Sequence, residues 1–188
     1  MNSPVIRFRF QSAIFALIAG LLLTPLAQAA PLTDRQIQAV INIQKDVAFI
    51  EQEFPELDRR AEENHDMSRP VSSFLPLLDE YPKAQSRLED VVEKHGLDSI
   101  EQWASVADRV YTSLMAIIIR DMSPQEKQMY EQMVNAQAAD DAPEYMKAHM
   151  AKMKKEMQNM KTAAEQATEE DIQAVRPFLD QLTADNDE

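Results

Sequence analysis

The sequence predicts an all-α protein, an antiparallel helical bundle of five or six helices with no sheet. The 188-residue chain contains two glycines, too few for the turns that a β-rich fold needs. Its apolar residues recur at helical rather than alternating spacing, and the helix-favouring residues Ala, Gln, Glu, Met and Lys are abundant. The short connections between the predicted helices favour antiparallel neighbours.

Residues 1–29 are predicted to be a cleaved signal peptide. Two arginines precede an apolar run at residues 13–23, and Ala27 and Ala29 supply small residues at the −3 and −1 positions of a cleavage site. The apolar run is shorter than the roughly 20 residues that span a bilayer. We therefore expect a periplasmic protein with no membrane span after signal cleavage.

The composition excludes several classes of function. The formal net charge is −13, with 32 acidic against 19 basic residues, so a nucleic-acid partner is not expected. The absence of cysteine excludes disulfides, thiolate metal sites and cysteine nucleophiles. Neither a GxSxG nor an HExxH motif occurs. These observations predict a protein without enzymatic activity or cofactor.

Residues 30–140 are predicted to form the helical core. Thr33 and Gln36 have the spacing of a capping box and begin the first helix. Pro55 is expected to end or kink this helix. The polar residues 56–69 form either a last helical stretch or a mobile link.

A second helical region is expected to start near Pro70, with Ser68 as its cap. Pro82 suits the first turn of the following helix, which is expected to run to His95. Gly96 then supplies the left-handed conformation that commonly ends helices.

The most apolar helix is predicted over residues 100–121, in the centre of the fold. Ser99 and Gln102 have the spacing of a capping box at its start. A similar pattern beginning at Ser123 predicts a further helix to about Ala139.

Residues 141–184 are predicted to form a methionine-stripe helix and a C-terminal helix of the same domain. Pro143 lies at the start of the methionine helix, and Thr168 caps the C-terminal helix, which Pro177 is expected to bend. Residues 185–188 form an acidic tail.

Five methionines form the candidate contact site. At 100° per residue, their side chains fall within an arc of about 80° on one helix face. The helix is also rich in lysine. The stripe either packs inside the bundle or a dimer, or forms an exposed, adaptable surface that binds a protein partner. The candidate residues are Met146, Met150, Met153, Met157 and Met160.

Copper(I) binding is the alternative function of the stripe, because thioether sulfur suits this soft ion. The candidate ligands would be Met150, Met153 and Met157, together with His149 at the edge of the stripe.

The segment before the stripe contains three further residues of interest. Trp103 is expected to be a core anchor. Asp108 and Arg109 are adjacent and therefore point in different directions, which favours separate surface or interhelical pairs.

The segment LTDRQ at residues 32–36 resembles the LTxxQ motif of the Spy/CpxP-like periplasmic proteins. This resemblance implies an exported, all-helical protein with an ATP-independent chaperone or envelope-stress role. Residues 95–116, HGLDSIEQWASVADRVYTSLMA, are similar to a segment of uncharacterised exported proteins of Gram-negative bacteria.

The secreted chorismate mutases are similar in length, signal and helical content, and they give a third interpretation. Their activity implies arginines and a lysine converging on a dianion, whereas the first helix here offers Arg35 and Lys45. The leading prediction remains a non-enzymatic protein that acts by protein interaction or self-association.

Overall fold

The structure is a computed structural model that describes residues 30–64, 66–135 and 143–184. Within these ranges the chain is helical, with short turns and no strand, which confirms the predicted all-α class for the described part of the chain. The predicted signal peptide (1–29) and acidic tail (185–188) lie outside the described residues.

The described chain contains two short 3₁₀ helices, Ser72–Phe74 and Arg176–Phe178, in addition to its α-helices. In chain order the α-helices are α1 (Asp34–Asp46), α2 (Phe49–Glu53), α3 (Pro55–Glu63), α4 (Leu75–Leu78), α5 (Pro82–Lys94), α6 (Ile100–Asp121), α7 (Pro124–Asn135), α8 (Glu144–Gln166), α9 (Glu169–Val175) and α10 (Leu179–Thr183).

The described helices are more numerous than the predicted five or six because several predicted helices are divided. The first predicted helix ends at Asp46, turns at Val47 and Ala48, and resumes as α2. Pro55 then begins α3 at a position where its missing N–H costs no helical hydrogen bond. The polar stretch after Pro55 is therefore helical as far as Glu63.

The core surrounds α6, which packs against α1, α5, α8 and α9. Burying these apolar side chains is the main favourable contribution to folding. Trp103 is 6% exposed, as expected of a core anchor. The largest fully buried side chains come from several helices and include Ile37, Ile41, Ile43, Leu57, Leu88, Ile117 and Ile172.

The predicted caps Thr33, Ser99 and Ser123 are confirmed, with one correction at α6. Thr33 and Gln36 form a complete capping box, and the Ser123 hydroxyl accepts a hydrogen bond from the backbone N–H of Glu126. At α6 the hydroxyl of Ser99 caps as predicted, but the side chain of Gln102 accepts from the backbone N–H of Asp98 (2.6 Å) instead of that of Ser99.

Residues 66–71 form turns, and the predicted helix start near Pro70 is wrong. The first helical segment here is the 3₁₀ helix that begins at Ser72. Ser68 does not cap it. Its hydroxyl instead donates to the carboxylate of Asp66 (2.7 Å).

Three ion pairs join α6 to the C-terminal helical segment. One of them involves a carboxylate that is almost completely buried, while the other two are exposed. These contacts fix the C-terminal segment against the central helix. The pairs are Arg109–Asp171, Arg120–Glu169 and Arg176–Asp121.

Among the described helices, none combines the length and the apolarity that crossing a membrane requires.

Candidate functional site

The methionine stripe lies on α8, a helix of 23 residues. Within the helix, Glu144 lies within 3.3 Å of Lys147, and Glu156 lies within 3.8 Å of Lys152. Such pairs along an exposed helix face contribute modestly to helix stability. These charged residues of α8 therefore pair with neighbours in the same helix.

None of the five stripe methionines is buried. Met146 and Met153 are 44% and 37% exposed, and Met150, Met157 and Met160 are half-buried. The buried residue of α8 is Ala163, near its C-terminal end. The stripe is therefore neither part of the core nor fully open to solvent. Its half-buried side chains pack against the protein, while two methionines remain accessible for contacts with other molecules.

The helix α7 contributes two further exposed methionines. Met129 and Met133 are 58% and 44% exposed, and α7 contains no buried residue between Pro124 and Asn135. We call Met129, Met133, Met146 and Met153 together the methionine surface. Met129 and Met133 were not predicted as contact residues, because α7 is short and its methionines occupy a single i, i+4 pair.

One hydrogen bond links the two helices that carry the methionine surface. The hydroxyl of Tyr130 donates to the backbone carbonyl of Met157 at 2.8 Å. Partial burial raises the pKa of Tyr130, so this hydroxyl keeps its proton at neutral pH. The bond holds α7 against α8 beside the stripe. The connection between the helices, including the predicted helix end near Ala139, lies outside the described residues.

The charge of α8 contrasts with that of the whole protein. The helix carries five lysines and three glutamates, whereas the chain has a net charge of −13. The stripe methionines thus lie on a locally basic helix of an acidic protein. Positive charge on α8 favours partners that carry negative charge at the point of contact.

An open groove of about 980 Å³ runs beside α8. Lys152 and Lys155 of α8 line one side, and Asp58 and Glu62 of α3 are among the residues that line the other. Phe74 contributes an aromatic ring to the lining. The groove therefore offers charges of both signs and some apolar surface.

The proposed copper ligands all lie on α8. Met150 and Met157 are half-buried, whereas Met153 and His149 are exposed. Within the described residues, no cluster of three or more His, Asp or Glu side chains could hold a metal ion. Copper(I) binding by thioethers stays a prediction.

Asp46, Asp108 and Arg109 make structural contacts. The Asp46 carboxylate lies 2.7 Å from Nζ of Lys94 and 2.9 Å from Nε2 of His95, and hydrogen bonds from these two side chains lower the pKa of Asp46. Asp108 and Arg109 form separate interhelical contacts, with the turn at Val71 and with α9. These groups hold the fold together.

Comparisons of the chain with protein-family models, with curated proteins and with solved structures found no match.

Proposed function

We propose that this protein is a non-enzymatic, chaperone-like protein of the periplasm that binds apolar segments of other polypeptides through its methionine surface. The observation that carries the proposal is the exposure of Met146 and Met153 on α8, where Ala163 is the buried residue. Met129 and Met133 are exposed methionines on the neighbouring helix α7.

Methionine suits such a surface because its side chain is unbranched, flexible and polarizable. It can adapt to apolar partners of different shape, as surfaces that bind many partners do. An apolar surface of this kind marks interaction sites more often than it serves folding. The lack of buried residues in α7, across its described range, supports this interpretation, since the helix contributes little to the core.

Charge complementarity defines the kind of segment that binds best. Lys147 and Lys154 lie beside the methionine stripe on α8. A polypeptide segment with apolar residues flanked by acidic ones would pair its charges with these lysines. Basic segments would meet repulsion along α8 and attraction elsewhere on the acidic protein.

Two features of the sequence support the location and class of the proposed protein. Residues 1–29 have the pattern of an export signal. The segment LTDRQ resembles a motif of the Spy/CpxP-like periplasmic proteins. We further propose that the longer helices form an antiparallel bundle, which would leave α7 and α8 at its surface.

The test is suppression of client aggregation, followed by light scattering, with a chemically denatured client protein. The double variant Met146→Gln/Met153→Gln keeps side-chain length and helix propensity but removes apolar character. We expect it to lose most of the suppression that the wild-type protein shows, with an unchanged circular-dichroism spectrum.

The matched control is Ala148→Gln/Ala151→Gln, which places two glutamines on the opposite, exposed face of the same helix. This control should suppress aggregation as well as the wild type does. If both double variants suppress aggregation equally, the methionine surface does not bind clients.

A further inference from the structure

A second candidate binding site lies between the end of α1 and the start of α2. The turn at Val47 and Ala48 separates these helices, and a cavity of about 760 Å³ opens beside it. Its walls come from α1, α2 and α3, and from Phe74 and Trp103 of the core. The residues that line it belong to neither α7 nor α8, so it is separate from the methionine surface.

The lining of this cavity is largely apolar and well fixed. Leu57 and Trp103 are 1% and 6% exposed, so they belong to the packed core. The rings of Phe74 and Trp103 meet edge to face, with centroids 6.1 Å apart. Val47 and Ile50 complete the apolar wall. A concave, preformed, apolar site of this volume is typical of pockets that bind small molecules, which range from about 300 to 1,000 Å³.

The indole of Trp103 provides a second observation. Its Nε1–H is buried and has no hydrogen-bond partner among the described residues. A buried donor without an acceptor is uncommon and costs free energy. Because this nitrogen is buried from solvent, Trp103 lines the cavity through its ring carbons, and a ligand would contact an apolar surface there.

The rim of the cavity carries the charges that select the ligand. Lys45 contributes one positive charge, and Glu51 and Asp58 contribute two negative ones. The rim is therefore net negative, and the protein around it carries a net charge of −13. Both facts favour a cation over an anion at this mouth.

We propose that this cavity binds a small amphipathic molecule with an apolar body and a cationic head group. The apolar body enters between Leu57, Phe74 and Trp103. The head group lies at the rim near Glu51 and Asp58. The cavity shares Asp58 and Phe74 with the groove beside α8, but none of the methionine surface lines it, so this proposal is tested independently of the proposed chaperone-like function.

The protein contains its own reporter for the test. Trp103 is the sole tryptophan, so the tryptophan fluorescence comes from a side chain that lines this cavity. We would titrate the purified protein with octyltrimethylammonium below its micellar concentration and follow the emission of Trp103. The expected result is a saturable change. Octanoate, with the same chain and the opposite charge, should bind several-fold more weakly, and tetramethylammonium, which lacks the chain, should cause no saturable change.

Two variants locate the ligand. Ala48→Phe adds a bulky side chain at the exposed mouth of the cavity and should abolish the saturable change. The control Ala151→Phe adds the same side chain at an exposed position of α8 and should leave binding unchanged. The double variant Glu51→Gln/Asp58→Asn should remove the preference for the cation over octanoate while keeping the fold, as checked by circular dichroism.

Three results would overturn the proposal: no saturable change with octyltrimethylammonium, octanoate binding as tightly as the cation, or equal binding by Ala48→Phe and wild type. None of these results would affect the aggregation assay, so the two proposals fail separately.

Discussion

Gly96 occupies a backbone conformation that other residues adopt at a cost. Its φ is +78°, and a Cβ added there would lie 2.7 Å from Nη2 of Arg35. We expect Gly96→Ala to lower the free energy of unfolding by about 1–2 kcal/mol. Urea unfolding monitored by circular dichroism measures this change.

The variant Gly96→Asn separates the two causes of that cost. Asparagine tolerates the left-handed conformation better than alanine does, but its Cβ meets the same guanidinium. It should therefore be more stable than Gly96→Ala and less stable than the wild type. An alanine variant as stable as the wild type would show that neither cause operates.

Asp171 is the most deeply buried charge among the described residues that form ion pairs. It is 3% exposed and accepts hydrogen bonds from the backbone N–H of Leu32 (2.9 Å) and from Nε and Nη2 of Arg109 (2.9 and 2.7 Å). The carboxylate thus joins the start of the described chain, α6 and α9. Its burial is tolerated because every one of these donors is in place.

The variant Arg109→Met removes the charged partner and leaves the buried carboxylate uncompensated. We expect it to lower the free energy of unfolding by about 3–5 kcal/mol, measured by urea or thermal unfolding. Arg176→Met is the matched control, since it breaks an exposed pair with Asp121 and should change stability little. Equal losses in both variants would contradict the central role of Asp171.

At the level of the helices, the elements that depend on local sequence could be predicted. Residues 100–121 were predicted as the central helix, and α6 spans Ile100–Asp121. The caps Thr33, Ser99, Ser123 and Thr168 act within three residues of the N–H groups that they bind. Spacing along the chain is sufficient to reveal such contacts.

Contacts between distant residues could not be predicted from spacing. The sequence placed a helix start at Ser68 and Pro70, but the carboxylate of Asp108 holds this turn through the backbone N–H groups of Val71 (2.7 Å) and Ser72 (3.1 Å). The partners are more than 35 residues apart in the chain. The break between α1 and α2 was not predicted, because neither proline nor glycine lies at Val47 and Ala48.

The candidate site was predictable only in part. The helical period placed the five methionines on one face of α8, but the period does not reveal what lies against that face. Exposure depends on where α6 and α7 pack, which is a property of the tertiary structure. The cavity beside Trp103 left no pattern in the sequence, since three helices and a core aromatic pair form it.

The exposure of Met153 leads to a prediction about the stability of α8. Met153→Asp places a charge at a position that is 37% exposed, so the charge keeps its hydration. We expect the free energy of unfolding to fall by no more than about 1 kcal/mol, which includes the lower helix propensity of aspartate. Thermal unfolding of this variant, compared with Ile117→Asp in the buried core, measures the difference.

Ile117→Asp should unfold the protein or lower its melting temperature sharply, because it buries an unpaired charge. If Met153→Asp were comparably destabilising, α8 would bury its methionine face in solution, and the methionine surface would not be available to clients.

For the molecule as a whole, exposed carboxylates make stability depend on pH. Seven carboxyl groups have a lowered pKa. For most of them the cause is a hydrogen bond from a basic side chain. For Glu101 and Glu126 the cause is hydrogen bonds from a capping serine hydroxyl and a backbone N–H. Because these groups bind protons less readily in the folded protein than in the unfolded chain, their interactions stabilise the fold above the unfolded pKa and lose that effect as the pH falls. The seven groups are Asp46, Glu56, Glu80, Glu101, Asp121, Glu126 and Glu169.

A substitution at Glu169 measures this pH-dependent stabilisation separately from the change in the protein's net charge with pH. Hydrogen bonds from Arg120 hold the pKa of Glu169 below its ordinary value of 4.5. The melting temperature of the wild type should therefore exceed that of Glu169→Gln by a constant amount between about pH 6 and 8, and the difference should shrink as the pH falls below about 4.5. Glu165→Gln removes the same charge from an exposed site on α8 and corrects for the change in net charge. A difference that grows on acidification would mean that the Glu169–Arg120 pair opposes folding. The helix α9 would then be held to α6 by the buried Asp171 and by the packing of Ile172 and Val175.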